Sequence, residues 1–223
     1  MGHTISGVAV QGFNILKEVL NRLIGIFDFL LALLGILPAK KLRLRFVILR
    51  DEKGLPLIAD NVAMRAYEET VVLLSRAARL TIIPSGWKVV NAPYASPRAA
   101  LDVRCTDGAW SDDAGEAGAY YRSVMAKTTA GTLLGYGAPL TVFIVRKISD
   151  KNGCSLGVLT DYVTVEAGTV ARTPRLIAHE IGHACGLWHT DDKANCMCAI
   201  GPGEKLTRWQ VAVLRNSRHV TYL

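Results

Sequence analysis

Histidine is scarce in this chain: there are five in 223 residues. No basic run interleaves with aromatic side chains, which argues against a nucleic-acid partner. No apolar run reaches the ~20 residues that a spanning helix needs; the best candidate, residues 23–37, is interrupted by Asp28. No small-x-small cleavage site follows it, and Leu37-Pro38-Ala39-Lys40 is a weak stand-in. The five cysteines are odd in number, so internal pairing leaves at least one thiol over. The charged fraction of 20% and the length suit one globular core with an appendage, divided as residues 1–39 and 40–223. The net charge of +7 is uneven: residues 1–50 carry +5, residues 204–223 carry +3, and the middle is nearly neutral. A basic cluster beside an apolar helix suits an anionic membrane surface better than a nucleic acid.

Three of the five histidines fall in His-Glu-Ile-Gly-His-Ala-Cys-Gly-Leu-Trp-His, residues 179–189. His179 and His183 are four apart, so a helix sets them on one face, where both can bind one metal ion. Glu180 sits beside the first ligand and can act on a water at the metal without ligating. Gly186 lets the backbone leave the helix in a left-handed turn, which can return His189 as third ligand. A fourth position stays open, as catalytic zinc requires. A bare His-Glu-x-x-His arises by chance in about 0.5% of chains this long; adding the glycine and third histidine cuts that about a thousandfold. The competing readings are an ordinary amphipathic helix and a zinc that only holds the fold; Glu180 argues against the second.

The pattern resembles the metzincin metallopeptidases, whose signature is this motif followed by a methionine turn. The chain has Asn195-Cys196-Met197-Cys198 eight residues beyond His189, and the short connection is similar to the matrixin branch. The resemblance covers residues 174–198 strongly and residues 42 onward more weakly. It implies a metzincin-type α+β fold with a twisted mixed sheet, an active-site helix and a C-terminal helix, to which this chain adds an N-terminal hydrophobic helix. It implies Zn2+ held by His179, His183 and His189, Glu180 as general base, and Met197 as an apolar floor. A protein or peptide substrate would lie along an antiparallel edge strand near residues 155–159, with a pocket wall from residues 199–203. Departures are Ala199 where some relatives carry a tyrosine, the lack of a Pro-Arg-Cys-Gly latency segment, and no cysteine after Cys198 for a second zinc. His3 and His219 lie far from any second site of the matrixin kind.

Patterning places strands at residues 42–48, 80–83, 101–105, 140–148, 155–159 and 162–166. Helices are expected at residues 60–79 with Asp60 as N-cap, at 116–130, at 174–185 behind Thr173 with proline at the first position, and from Thr207. Residues 84–115 read mainly as loops around the strand at 101–105. There, Asp107, Asp112, Asp113 and Glu116 match no calcium-loop spacing and read as a solvated acidic stretch. Cys185 can bridge to Cys196 or Cys198, Cys105 to Cys154, or all five can stay reduced.

Residues 12–37 form one helical stripe, Phe13, Leu16, Leu20, Leu23, Phe27, Leu30, Leu34 and Leu37. A polar or small seam lies opposite: Asn14, Lys17, Asn21, Gly25, Asp28, Ala32 and Gly35. The segment reads as a signal-anchor, an interfacial membrane helix, or a helix packed on the domain or on a second copy. Lys40, Lys41, Arg43 and Arg45 would tend to leave the domain in the cytoplasm if it spanned. The expected location is secreted or membrane-associated, with the cytoplasm also open. Three function classes compete: a zinc endopeptidase, a non-catalytic zinc-stabilised peptide-binding domain, and a membrane-acting protein whose N-terminal helix is the effector.

Overall fold

A computed structural model describes residues 2–105, 109–125 and 137–222. Two helices, α1 (Gly2–Ile24) and α2 (Ile26–Leu33), replace the single one expected over 12–37. The break falls at Gly25, where a Cβ would lie 1.8 Å from the Asn216 Oδ1. Apolar–basic alternation then makes β1 (Lys41–Ile48), whose Leu42, Leu44, Phe46 and Ile48 share one wholly buried face. Helix α3 (Asp60–Ala78) returns the chain to β2 (Thr81–Asn91), parallel to β1. Ala59, not Asp60, is the N-cap of α3, and Asp60 instead accepts a bond from Asn91 Nδ2.

β2 outruns the expected strand at 80–83. Pro84 pairs with Leu44 and Val89 with Phe46, so the residues between loop out, with Gly86 at φ 77°, before pairing resumes. The loop-like residues 84–115 also hold α4 (Arg98–Leu101), β3 (Asp102–Val103) and α5 (Ala109–Ala114). Helix α6 (Glu116–Val124) follows; residues 126–130 of the expected helix lie outside the described residues. The expected strand at 140–148 is β4 (Leu140–Val145) and β5 (Lys147–Ile148), the latter pairing with β3.

β6 (Gly153–Ser155) runs antiparallel to β7 (Tyr162–Glu166). The strand expected at 155–159 is therefore displaced: it ends at Ser155, and Gly157–Leu159 is a 3-10 turn, with Gly157 at φ 59°. The chain closes with α7 (Ala167–Val170), α8 (Pro174–Ala184), α9 (Arg208–Arg215) and β8 (Val220–Thr221), antiparallel to β1. Thr207 caps α9 in a reciprocal box with Gln210; Thr173 makes no such side-chain bond at α8. The result is a mixed α+β fold around a mixed sheet ordered β2-β1-β4-β7-β6, with β6 at one edge.

Helices cover both faces. On one, β1 and Val142 and Ile144 of β4 pack against Tyr67 and Leu74 of α3 and Ile177 and Ile181 of α8. On the other, Val47, Phe143 and Val145 meet Tyr120, Tyr121 and Tyr162, with the Tyr121 and Phe143 rings 4.6 Å apart. Fully burying each large apolar side chain contributes about 1.5–3 kcal/mol, so this two-sided core dominates the stability.

Helix α1 docks through its polar seam. Asn14 Nδ2 donates to the Leu159 carbonyl at 2.7 Å, Gln11 Nε2 to Asp113 at 2.6 Å, and Arg22 to the Cys185 carbonyl at 3.0 Å. Glu18 reaches the fully buried Arg218, which also pairs with Asp161 at 2.7 Å and takes the carbonyls of Val158 and Thr160. A buried guanidinium must be paired and fully hydrogen-bonded, and α1 completes that requirement. Among the described residues, no helix is long and apolar enough to cross a membrane.

Cys105 and Cys154 form a disulfide that ties β6 to the loop after β3. Cys185, Cys196 and Cys198 are buried free thiols, so the considered bridge from Cys185 to the methionine turn is not made. Burial pushes the Cys185 and Cys196 thiols up to about 11, which leaves them protonated and unreactive at neutral pH.

Candidate active site

Pro174 opens α8, and Ile177, Ala178, Ile181 and Ala184 lock the helix onto the sheet. Its other face presents His179 and His183. Gly186 follows at φ 88°, and its amide donates to the His183 carbonyl while Leu187 donates back to Gly182. This left-handed exit returns the chain and brings His189 to the other two imidazoles.

The three Nε2 atoms lie 3.2 Å (His179–His189), 3.1 Å (His179–His183) and 3.0 Å (His183–His189) apart. His179 Nδ1 donates to the Cys196 carbonyl and His183 Nδ1 to the Leu187 carbonyl, each at 2.8 Å. A carbonyl only accepts, so both protons sit on Nδ1 and both Nε2 atoms turn lone pairs toward the same point. Lone pairs converging in this way suit a cation between them. Three nitrogens around a tetrahedral zinc at about 2.0–2.1 Å would stand about 3.3 Å apart, close to the spacing seen. Backbone carbonyls fixing the second ring nitrogen are also the usual support of a metal-binding imidazole. This donor set can hold a metal ion; it is the one such group found among the described residues.

Burial holds the His179 ring down at about 4 and lowers that of His183. Glu180, next on the helix and 6% exposed, is pushed by burial up to about 8. Its neighbour is Gly153 on β6: a Cβ there would stand 2.6 Å from Glu180 Oε1 and 2.8 Å from its Cγ. The edge strand and the carboxylate thus share a space that only glycine leaves open.

The carboxyl of Glu180 gives a signed pH effect in metal-free protein. Its folded value lies above the unfolded one, so its contribution is full at low pH and is lost as pH rises through about 8. His179 acts oppositely: its contribution is present above the ordinary histidine value and lost as pH falls toward about 4. Thermal melts of chelator-treated protein should therefore show the melting temperature declining from mildly acidic pH toward pH 8. Glu180→Gln should flatten that decline; an identical slope in both proteins would disprove the assignment.

Met197 is wholly buried against α8, where a Cβ on Gly182 would come within 2.6 Å of its sulfur. Its loop is fastened from two sides. Asn195 Oδ1 accepts from the Met197 amide at 2.8 Å, and its Nδ2 donates to Gln210 at 2.7 Å. Arg175, one turn before His179, donates to the carbonyls of Gly203 at 2.7 Å, Cys196 at 2.9 Å and Cys198. Arg175→Ala removes the side-chain donor from the Gly203 and Cys198 carbonyls, while Cys196 keeps its bond from His179, and should lower stability by about 2–4 kcal/mol, measured by urea unfolding. A change under about 0.5 kcal/mol, the range of ordinary surface substitutions, would show the staple to be dispensable. Ala199 and Ile200, from the expected pocket wall, are exposed, as is Trp188 beside His189.

Other sequence candidates lie apart from this cluster. His219 is fully buried and bonded to the Ala138 carbonyl, while the His3 side chain and Asp107 fall outside the described residues. Asp112 is paired with Arg104, and Asp113 is taken by Arg122, Gln11 and Tyr162. Arg175, Gly153, Arg22 and Arg218 carry no motif signal; their parts follow from contacts distant in the chain.

No protein-family model matches the chain, and no curated protein matches it in sequence. Among solved structures it is similar to metalloproteinase-II from Bacteroides fragilis, at 12% identity with a TM-score of 0.44, over 75% of this chain and 48% of that one. It is also similar to a chaperone–substrate complex, at 11% identity and TM-score 0.46, over 82% of this chain and 38% of that one. The chain thus spans less than half the length of either neighbour. At this level of likeness, the chemistry is decided by the site itself.

Proposed function

We propose that the chain is a zinc-dependent endopeptidase of the metzincin type. The observation that carries this is the convergence of the Nε2 atoms of His179, His183 and His189, two of them pinned as acceptors by backbone carbonyls, beside the carboxyl of Glu180. Zinc held by those three side chains would supply a Lewis acid that polarises a peptide carbonyl and makes water more acidic. Glu180 takes the proton from the attacking water and delivers it to the departing amine. Its place against Gly153 of β6 aims it into the space above the edge strand. Among the described residues β6 pairs only with β7, so its other side could bond an extended substrate as an added strand. Met197 fills the space under the ligand helix and keeps water from that side.

The test combines metal analysis with hydrolysis of an unfolded protein. The purified chain should contain zinc, cleave the substrate, lose that cleavage on chelation and regain it with zinc. A zinc-loaded, folded protein that binds extended peptides but never cleaves them would replace this reading with the non-catalytic one.

A further inference from the structure

Residues 4–36 break the rule that apolar faces point inward. The charged residues of this segment, Lys17, Glu18, Arg22 and Asp28, all turn toward the protein. Lys17 and Glu18 are buried, Arg22 is held by Glu18 and the Cys185 carbonyl, and Asp28 by Lys40 and Tyr222. The opposite side presents Leu16, Leu20, Leu23, Phe27, Leu30 and Leu34 to solvent, with Leu23 63%, Phe27 76% and Leu34 74% exposed. Helix α1 alone is about 35 Å long at the usual rise per residue. A contiguous, charge-free apolar strip rimmed by polar residues is the kind of surface that marks a protein or membrane interaction site.

The borders of the strip identify the partner. Trp209, 60% exposed, meets Phe29 of α2 edge-on at 5.0 Å, so a tryptophan borders the α2 part of the strip. Tryptophan favours the boundary between headgroups and acyl chains. Around the α2 end stand Lys41, Arg79 and Arg208, all exposed and without an ion pair among the described residues. Arg215 gathers this corner by donating to the carbonyls of Arg79 and Pro38. These cations sit beside the strip, where anionic headgroups would meet them. A second copy would bring the same excess of positive charge and be repelled.

We propose that α1 and α2 form an interfacial membrane-docking surface, lying in the plane of an anionic bilayer with the leucine side in the acyl boundary. The protein itself occupies the polar side of the helix, which in a free interfacial helix would face water. Neither helix needs to cross the bilayer, and neither is long and apolar enough to do so. The surface is independent of the peptidase chemistry.

Co-sedimentation of the full chain with vesicles of phosphatidylglycerol and phosphatidylcholine in equal parts tests this. Binding is expected, weaker on pure phosphatidylcholine and weakened by salt. Leu23→Glu with Phe27→Glu should reduce binding at least about tenfold, because both side chains enter the apolar layer. Lys41→Glu with Arg208→Glu should abolish the preference for the anionic vesicles. All four positions are exposed, so melting temperature and zinc content should stay unchanged, which separates lost docking from lost folding. Failure of the parent chain to bind the anionic vesicles would overturn the proposal. So would a dimer in analytical ultracentrifugation that the leucine–phenylalanine variant dissolves while vesicle binding persists unaltered.

Discussion

Glu180→Gln should lower kcat for peptide hydrolysis by about a thousandfold while leaving zinc content and fold intact, in the middle of the range typical of general acid–base catalysis. Glutamine keeps the length and packing of the side chain, so the contact with Gly153 survives and only the proton acceptor is lost. KM should move little, because the carboxylate acts on the proton of the attacking water rather than holding substrate. Metal analysis of the same sample separates a lost base from a lost ion. Activity within tenfold of the parent, with zinc retained, would remove Glu180 from the role of base.

Gly153→Ala tests the same carboxylate from the opposite side. The new methyl would stand 2.6 Å from Glu180 Oε1, closer than any real contact allows, so the carboxylate must swing away. Cγ stands at only 2.8 Å as well, so the whole Glu180 side chain must turn to another rotamer, while β6 keeps pairing Gly153 with Val165. Stability should therefore hold while kcat falls by about a hundredfold, the loss associated with misplacing a catalytic group by about an ångström. The pairing of a large rate loss with an unchanged urea midpoint is the readout. Equal losses of stability and rate would instead make the glycine a packing position for the edge strand.

The metal cluster was legible because its geometry is local. His179 and His183 share a helix face by spacing alone, and Gly186 marks the exit that returns His189, as its φ of 88° shows. The strands at β1, β4 and β7 were legible because their apolar patterns set register. Pro84 and Gly86 look like the end of a strand, yet β2 continues past them because the neighbouring β1 offers hydrogen-bond partners again at Val89. The edge strand begins two residues and ends four residues earlier than its pattern suggests, because Gly153 and Cys154 carry no strand signal; their pairing with β7 and the bridge to Cys105 settle them. The orientation of α1 could not be read locally. Leucine on one side and asparagine and lysine on the other leave a membrane, the domain itself and a second copy all open as what the leucine side meets. What decides it is Arg218, a buried charge that demands partners, together with the half-buried Asp161, both far along the chain.

The pairing of Glu18 with Arg218 spans 200 residues. During synthesis at about 5–20 residues per second, α1 therefore waits about 10–40 s before its guanidinium partner exists. Its carbonyl partners at Leu159 and Cys185 also arrive only after most of the sheet has been made. For much of that interval the helix has a leucine side ready to partition and a polar side whose partners are still incomplete. Translation speed, rather than final stability alone, then sets whether the helix meets its own domain or another surface first.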